Sequence, residues 1–196
     1  MIDAALEYIC SQLNQSLKNA FDLQEDIAVV SNIVDQDGSV VTQASNKLVI
    51  TLVNLEKESA AARKIPAVAP TSNLVAITPP SLHLNLYVMF AANFGGGNYN
   101  ESLKFISNTV SFFQSHPVFD RHTSPGMDAR IDKLILDIEN LGVHDLSNLW
   151  GILSGKYLPS VLYKVRMLTI DTGDLTHQVT RATEPQPRVG AKRGEV

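Results

Sequence analysis

The sequence predicts an α/β (α+β) fold in which a single mixed sheet of about five strands is flanked by about three helices. Three observations carry this expectation. An amphipathic repeat of three- and four-residue steps opens the chain, β-rich runs with period-two alternation follow it, and two more helical stripes fall between the later runs. Helices and strands interleaved along one chain favour a sheet with helices packed on it over separate all-α and all-β parts. With 196 residues, 44% of them hydrophobic and 18% charged, the chain has enough apolar material for one substantial core.

The apolar residues Ile2, Leu6, Ile9, Leu13, Leu17 and Phe21 lie along one face of a first helix. From Ile27 to Val34 the β-branched content indicates a strand, and Asp35-Gln36-Asp37-Gly38 supplies a turn. Lys47 to Leu55 is apolar on both of its alternating faces, as a central strand requires. Glu56 to Pro80 contains Pro66, Pro70, Pro79 and Pro80, so regular structure is not expected throughout it. A connection of that length usually holds a partner or is mobile.

Ser81 to Phe94 alternates, with Leu82, Leu84, Leu86, Val88 and Phe90 inward and a mixed opposite face. After Gly95-Gly96-Gly97, Asn98 is placed as the N-cap of a second helix, with Glu101 completing a capping box and Leu103, Ile106, Val110 and Phe113 as the buried stripe. Pro117 ends this helix, and Val118 to Gly126 reads as an irregular connection. Ile131 to Ile138 is a half-solvated strand that buries Leu134, Leu136 and Ile138. A third helix spans about Asp145 to Leu153, with Gly155 as its left-handed terminator, and Ser160 to Asp171 is the last strand. The domain is therefore expected over residues 1–171. Residues 172–196 form an extended C-terminal arm whose composition cannot build a core of its own.

Several functions are disfavoured by composition. A net charge of -4 gives no general attraction to nucleic acid, and the single Cys10 can form neither an internal disulfide nor a thiolate zinc cluster. The most apolar stretch, Leu82 to Phe94, is too short and too polar for a membrane span. No secretion signal is apparent, so synthesis and assembly in a reducing cytoplasm are expected.

Chemical motifs are equally sparse. The Gly95–Gly97 loop joins a strand to a helix, where amides can cradle phosphate, but it lacks both the P-loop and dinucleotide spacings, and Glu101 opposes an anion. Asp120, Arg121 and His122, with Asp128 and Arg130, are better read as a solvated loop or interface set than as an acid–base site. The five histidines have no metal-ligand spacing, and Cys10 falls beside the first helical stripe as a core thiol. No catalytic residue, cofactor or metal is expected.

The segment Leu146-Ser-Asn-Leu-Trp150-Gly-Ile-Leu-Ser-Gly-Lys-Tyr157-Leu-Pro159-Ser160-Val-Leu-Tyr163-Lys-Val-Arg166 resembles the C-terminal signature of the tail-terminator, or cap, proteins of extracellular contractile injection systems. The first helix and the run from Ser81 through Phe119, with Tyr99, Phe112 and Phe113, are similar to the same family, so the resemblance extends to about residue 171. The family includes caps of the antifeeding-prophage and Photorhabdus virulence-cassette types. The resemblance implies a fold akin to phage tail terminators and a subunit of a six-membered ring that ends the inner tube and touches the sheath of a particle later released. It implies no catalytic residues. A baseplate or other adaptor layer of the same particle is the nearest alternative, and a nucleotide-binding enzyme using the glycine loop is the rival from another class. For a ring subunit, contacts are expected at Arg63 and Lys64 in the long loop, at Gly95, Gly96, Gly97 and Tyr99, at Arg121, and at Arg188, Lys192 and Arg193 in the arm.

Overall fold

The computed structural model describes residues 1–35, 37–39, 41–58, 74–77, 83–153, 156–169 and 177–180. Helix α1 (Ile2–Phe21) opens the chain and buries Leu6, Ile9, Leu13 and Leu17 as the apolar repeat requires. It ends at Asp22 in the left-handed region (φ 53°), where the backbone N–H groups of Asp22 and Leu23 both return to the Lys18 carbonyl. There follow β1 (Ala28–Val30), a 3-10 turn (Thr42–Ala44), β2 (Lys47–Lys57), β3 (Leu74–Ile77), β4 (His83–Asn93), α2 (Tyr99–Ser115), β5 (Val118–Asp120), β6 (Ile131–Ile138), α3 (Val143–Ile152), β7 (Ser160–Thr169) and β8 (His177–Thr180).

Six strands form one mixed sheet in the order β1-β2-β4-β7-β6-β5; β1 runs parallel to β2 and every other neighbour is antiparallel. This is the expected α+β architecture, with three helices and one strand beyond the roughly five expected. The added strand is β5, which pairs Val118–Asp120 with Lys133–Ile135 in the stretch read as an irregular connection. Three residues are too few to show a period. β3 and β8 make a separate two-stranded antiparallel sheet, Leu74 opposite Thr180 and Ile77 opposite His177. They belong to a second compact unit, Ala62–Pro80 with Gly173–Val196, whereas Met1–Ala61 and Ser81–Thr172 form the first. The expected Gly155 terminator lies outside the described residues, and α3 ends instead at Leu153, whose N–H bonds the Leu149 carbonyl.

The six-stranded sheet has a core on each face. On one side α1 and α2 pack Leu13, Leu17, Phe105 and Phe113 against Leu48, Ile50, Leu86, Val88, Phe90 and Val165. On the other, Trp150 of α3 packs with Ile33, Ala44, Val49, Met89, Ala91 and Leu162. The α2 stripe differs from its expected position. Ser102, Phe105, Thr109 and Phe113 are buried, whereas Leu103 is 41% exposed. Aromatic volume decides the rotation: Phe105 stacks on Phe94 with centroids 4.9 Å apart, and Phe113 lies 5.2 Å from both Phe90 and Tyr163. Thr109 tolerates burial because its hydroxyl donates to the Phe105 carbonyl at 2.8 Å.

β2 is buried on both faces only as far as Thr51. A register shift between Leu52 and Asn54 then turns the strand, and Leu52 and Leu55 are partly exposed. Beside it, β1 is shorter than the expected Ile27–Val34. Its ladder ends where the Thr51 hydroxyl donates to the Ser31 carbonyl at 2.7 Å, the acceptor that the next parallel rung requires. Beyond this point, among the described residues, no strand covers the outer edge of β2 up to Lys57. In β6 a shift between Ile131 and Lys133 buries Ile131, Leu134 and Leu136 but leaves Ile138 exposed, contrary to expectation.

One polar side chain ties α1 to the sheet edge. Asn14 is buried; its Oδ1 accepts the N–H groups of Ile27 (2.9 Å) and Ala28 (2.8 Å), and its Nδ2 donates to the Ala28 carbonyl at 2.9 Å. Replacement by an apolar residue strands the Ile27 and Ala28 N–H groups, at about 1–3 kcal/mol for each that stays dry, while the Ala28 carbonyl keeps the Cys10 Sγ–H donor. Asn14→Leu is therefore expected to lower unfolding free energy by roughly 2–4 kcal/mol in urea titration.

Candidate assembly surface

The glycine loop leaves β4 and enters α2 in full solvent exposure. Gly96 (φ 69°) and Gly97 (φ 87°) adopt the left-handed region, and a Cβ at any of Gly95, Gly96 or Gly97 meets nothing within 4 Å. Backbone conformation rather than close approach thus calls for glycine at 96 and 97. Asn98 occupies the N-cap but its side chain makes no capping bond, and Glu101 pairs with Lys104 at 2.8 Å instead of reaching back. The expected capping box is absent here. Tyr99, the first residue of α2, is 59% exposed.

Arg121 follows β5, held through its backbone N–H to the Asp132 carbonyl at 3.1 Å, with its side chain exposed. It lies past the opposite end of α2 from the glycine loop, and 17 residues of helix span about 25 Å. The structure therefore brings Gly95, Gly96, Gly97 and Tyr99 together and places Arg121 elsewhere. Arg63, Lys64, Arg188, Lys192 and Arg193 lie outside the described residues.

The nearby acids have local duties. Asp120 Oδ1 accepts the backbone N–H groups of Thr123 and His122, each at 2.9 Å, and these bonds, with Thr123 foremost, lower its pKa. Asp128 is held well below the usual carboxylate range by Arg130, which donates at 3.0 Å and 2.5 Å. These groups form two turn and pair motifs, not one convergent acid–base set. Among the described residues no three His, Cys, Asp or Glu side chains gather as metal ligands, and no helix is long and apolar enough to cross a membrane.

Apolar exposure is concentrated elsewhere, on α3. Val143 is 86% exposed, Ile152 79% and the following Tyr157 61%. Val143, Leu146, Ser147, Trp150, Gly151 and Tyr157 line an open groove of ≈ 590 Å³. Sequence reasoning assigned this helix one buried face and missed the second. The signal was present, since Val143, Leu146, Leu149, Trp150 and Ile152 exceed what one side of a ten-residue helix can bury.

Helices α2 and α3 each leave apolar side chains exposed, and among the described residues β2 has an open edge beside a two-sided core. The family follows from comparison: the Pvc16 N-terminal domain model matches residues 4–184, and the chain belongs to that family. Two solved structures share the fold. One is described as the sheath/tube terminator of an extracellular contractile injection system, PVC, in the extended state, with a TM-score of 0.56 at 11% identity over 95% of this chain and 65% of that one. The other is the anti-feeding prophage cap, a tube-terminating cap, with a TM-score of 0.55 at 11% identity over 91% of this chain and 59% of that one. The chain thus spans less than two thirds of either structure. No curated protein sequence matches it.

Cys10 illustrates the inert side of the chemistry. Burial, foremost, raises its thiol pKa to about 11, and its Sγ donates to the Ala28 carbonyl at 3.3 Å. Because the thiolate is the nucleophile, alkylation at pH 8 is expected to be at least about tenfold slower in the folded chain than in urea. Mass spectrometry of iodoacetamide-treated samples checks this. A raised pKa favours the folded state fully below the unfolded value near 9, and that contribution is lost as pH climbs through 11.

Proposed function

We propose that this chain is a tail terminator: a subunit of a ring, six-membered by the resemblance, that closes the inner tube of a contractile injection particle and couples it to the last sheath layer. The observation that carries this reading is the family match across residues 4–184, supported by a fold shared with a sheath/tube terminator and a tube-terminating cap. Its role is structural. Binding of a preformed ring to the growing end occupies the surface on which the next tube layer would add, and so polymerisation stops.

In this reading the Gly95–Gly97 loop with Tyr99 is one docking element and Arg121 is a second. Arg63 and Lys64 of the long loop and Arg188, Lys192 and Arg193 of the arm at residues 172–196 supply positive charge toward neighbouring layers. The subunits assemble in the cell and leave it as part of the released particle.

Removal of the gene tests the reading directly. Electron microscopy is expected to show particles of uneven length with open, unsheathed ends, and restoring the gene restores uniform length. Particles of normal length with closed ends in the deletion strain would refute the terminator role.

A further inference from the structure

We propose that Asp37–Gly38 is the site at which this chain forms isoaspartate, and that the hairpin framed by Asp35 and Ser39 restrains the reaction until that hairpin opens.

The sequence singles out the position. Backbone isomerisation begins when the amide nitrogen of the following residue attacks an aspartate side chain, and it is fastest when that residue is glycine, whose missing side chain leaves the nitrogen unshielded. Of the aspartates in the chain only Asp37 precedes a glycine, and no asparagine does. Asp37 and Gly38 are exposed, and a Cβ on Gly38 meets nothing within 4 Å.

The reaction needs only water. Gly38 N bonds to Asp37 Cγ, its proton and the carboxyl hydroxyl leave together as water, and a cyclic imide closes. A second water opens the ring. Cleavage at Cγ restores aspartate, whereas cleavage at the main-chain carbonyl carbon leaves Gly38 attached through Cγ, with an extra carbon in the backbone.

Folding restrains both reacting groups. The Gly38 N–H donates to the Asp35 carbonyl at 3.0 Å and the Asp35 N–H donates to the Ser39 carbonyl at 2.9 Å, so the nucleophile is committed to the turn. Gly38 sits at φ 82°, the left-handed setting that tight hairpin loops use. The electrophile is held too, because Asp37 Oδ1 accepts the Ser39 N–H at 2.8 Å, one residue past the nitrogen it must meet. Hydrogen bonding from the Ser39 side chain, foremost, and from its backbone lowers the Asp37 pKa, which depletes the neutral carboxyl whose hydroxyl can leave.

The hairpin is anchored in the core. Ile33 is 6% exposed in the cluster that holds Ala44, Val49, Met89 and Trp150, and Val34 and Val41 pack against the same cluster. The Val41 N–H reaches the Ile33 carbonyl at 3.5 Å. Opening the turn therefore works against apolar burial on the α3 side of the sheet. An added backbone carbon at 37 no longer fits the Asp35–Ser39 pairing, so modified chains lose this hairpin.

Peptide mapping with isoaspartyl methyltransferase labelling tests both the site and its restraint. At neutral pH the full chain in urea is expected to acquire label first at Asp37, and the folded chain at least about tenfold more slowly. Ile33→Ala loosens the anchor without touching the reacting residues; with circular dichroism confirming that it stays folded, it is expected to isomerise faster than the parent chain. Asp37→Asn keeps the anchor and turns the same attack into loss of ammonia, read by mass spectrometry as conversion of amide to acid. This variant too is expected to react at least about tenfold more slowly folded than in urea. The urea comparisons decide the restraint even if Ile33→Ala does not fold. Label appearing first at another aspartate in urea overturns the site. Equal rates in the folded and unfolded chains, or a folded Ile33→Ala no faster than its parent, overturn the restraint.

Discussion

Strand β4 is the constraint on which the rest of the molecule depends. It lies between β2 and β7, and its two alternating sets of side chains are committed to different cores, Leu86, Val88 and Phe90 to the α1/α2 side and Met89 and Ala91 to the α3 side. A one-residue slip would exchange these sets and empty both cores at once. Phe90 adds a second lock, with Phe113 at 5.2 Å and Tyr163 at 5.4 Å tying the strand to α2 and β7. The Tyr163 hydroxyl lies deep in this packing, where burial pushes its pKa up to about 12.

This central arrangement was legible in the sequence because it is written in local periods. The α1 stripe, the double-faced start of β2 and the alternation of β4 all appear where reading with 3.6- and 2-residue periods places them. Three features escaped for physical reasons. The rotation of α2 follows from ring stacking between Phe94 and Phe105, a tertiary contact that hydrophobicity counts do not weigh. The three residues of β5 are too short for periodicity, and the pairing of β3 with β8 joins segments about a hundred residues apart, whose matching no local window can see. The site was less legible than the fold. The glycine loop and Tyr99 are exposed, but the α3 groove was hidden because Leu146, Trp150 and Tyr157 were read as core.

The polar and apolar surfaces divide the work. Some charged groups on the first unit pair with one another, as in Lys18 with Asp26 at 2.8 Å and Arg166 with Asp137 at 2.6 Å, and exposed pairs of this kind contribute little free energy. The large apolar side chains left in water on α2 and α3 carry the greater potential gain on association.

The ragged outer margin of β2 bears on how the free chain avoids pairing with its own copies. Free strand margins invite fibre growth by stacking of one chain on another. Here the hydroxyl of Thr51 takes the carbonyl that would extend the ladder, the bulge at Leu52 to Asn54 skews the strand, and Glu56 and Lys57 put charge on its last rungs. These three features together oppose edge-to-edge pairing of β2 with the strand of another copy.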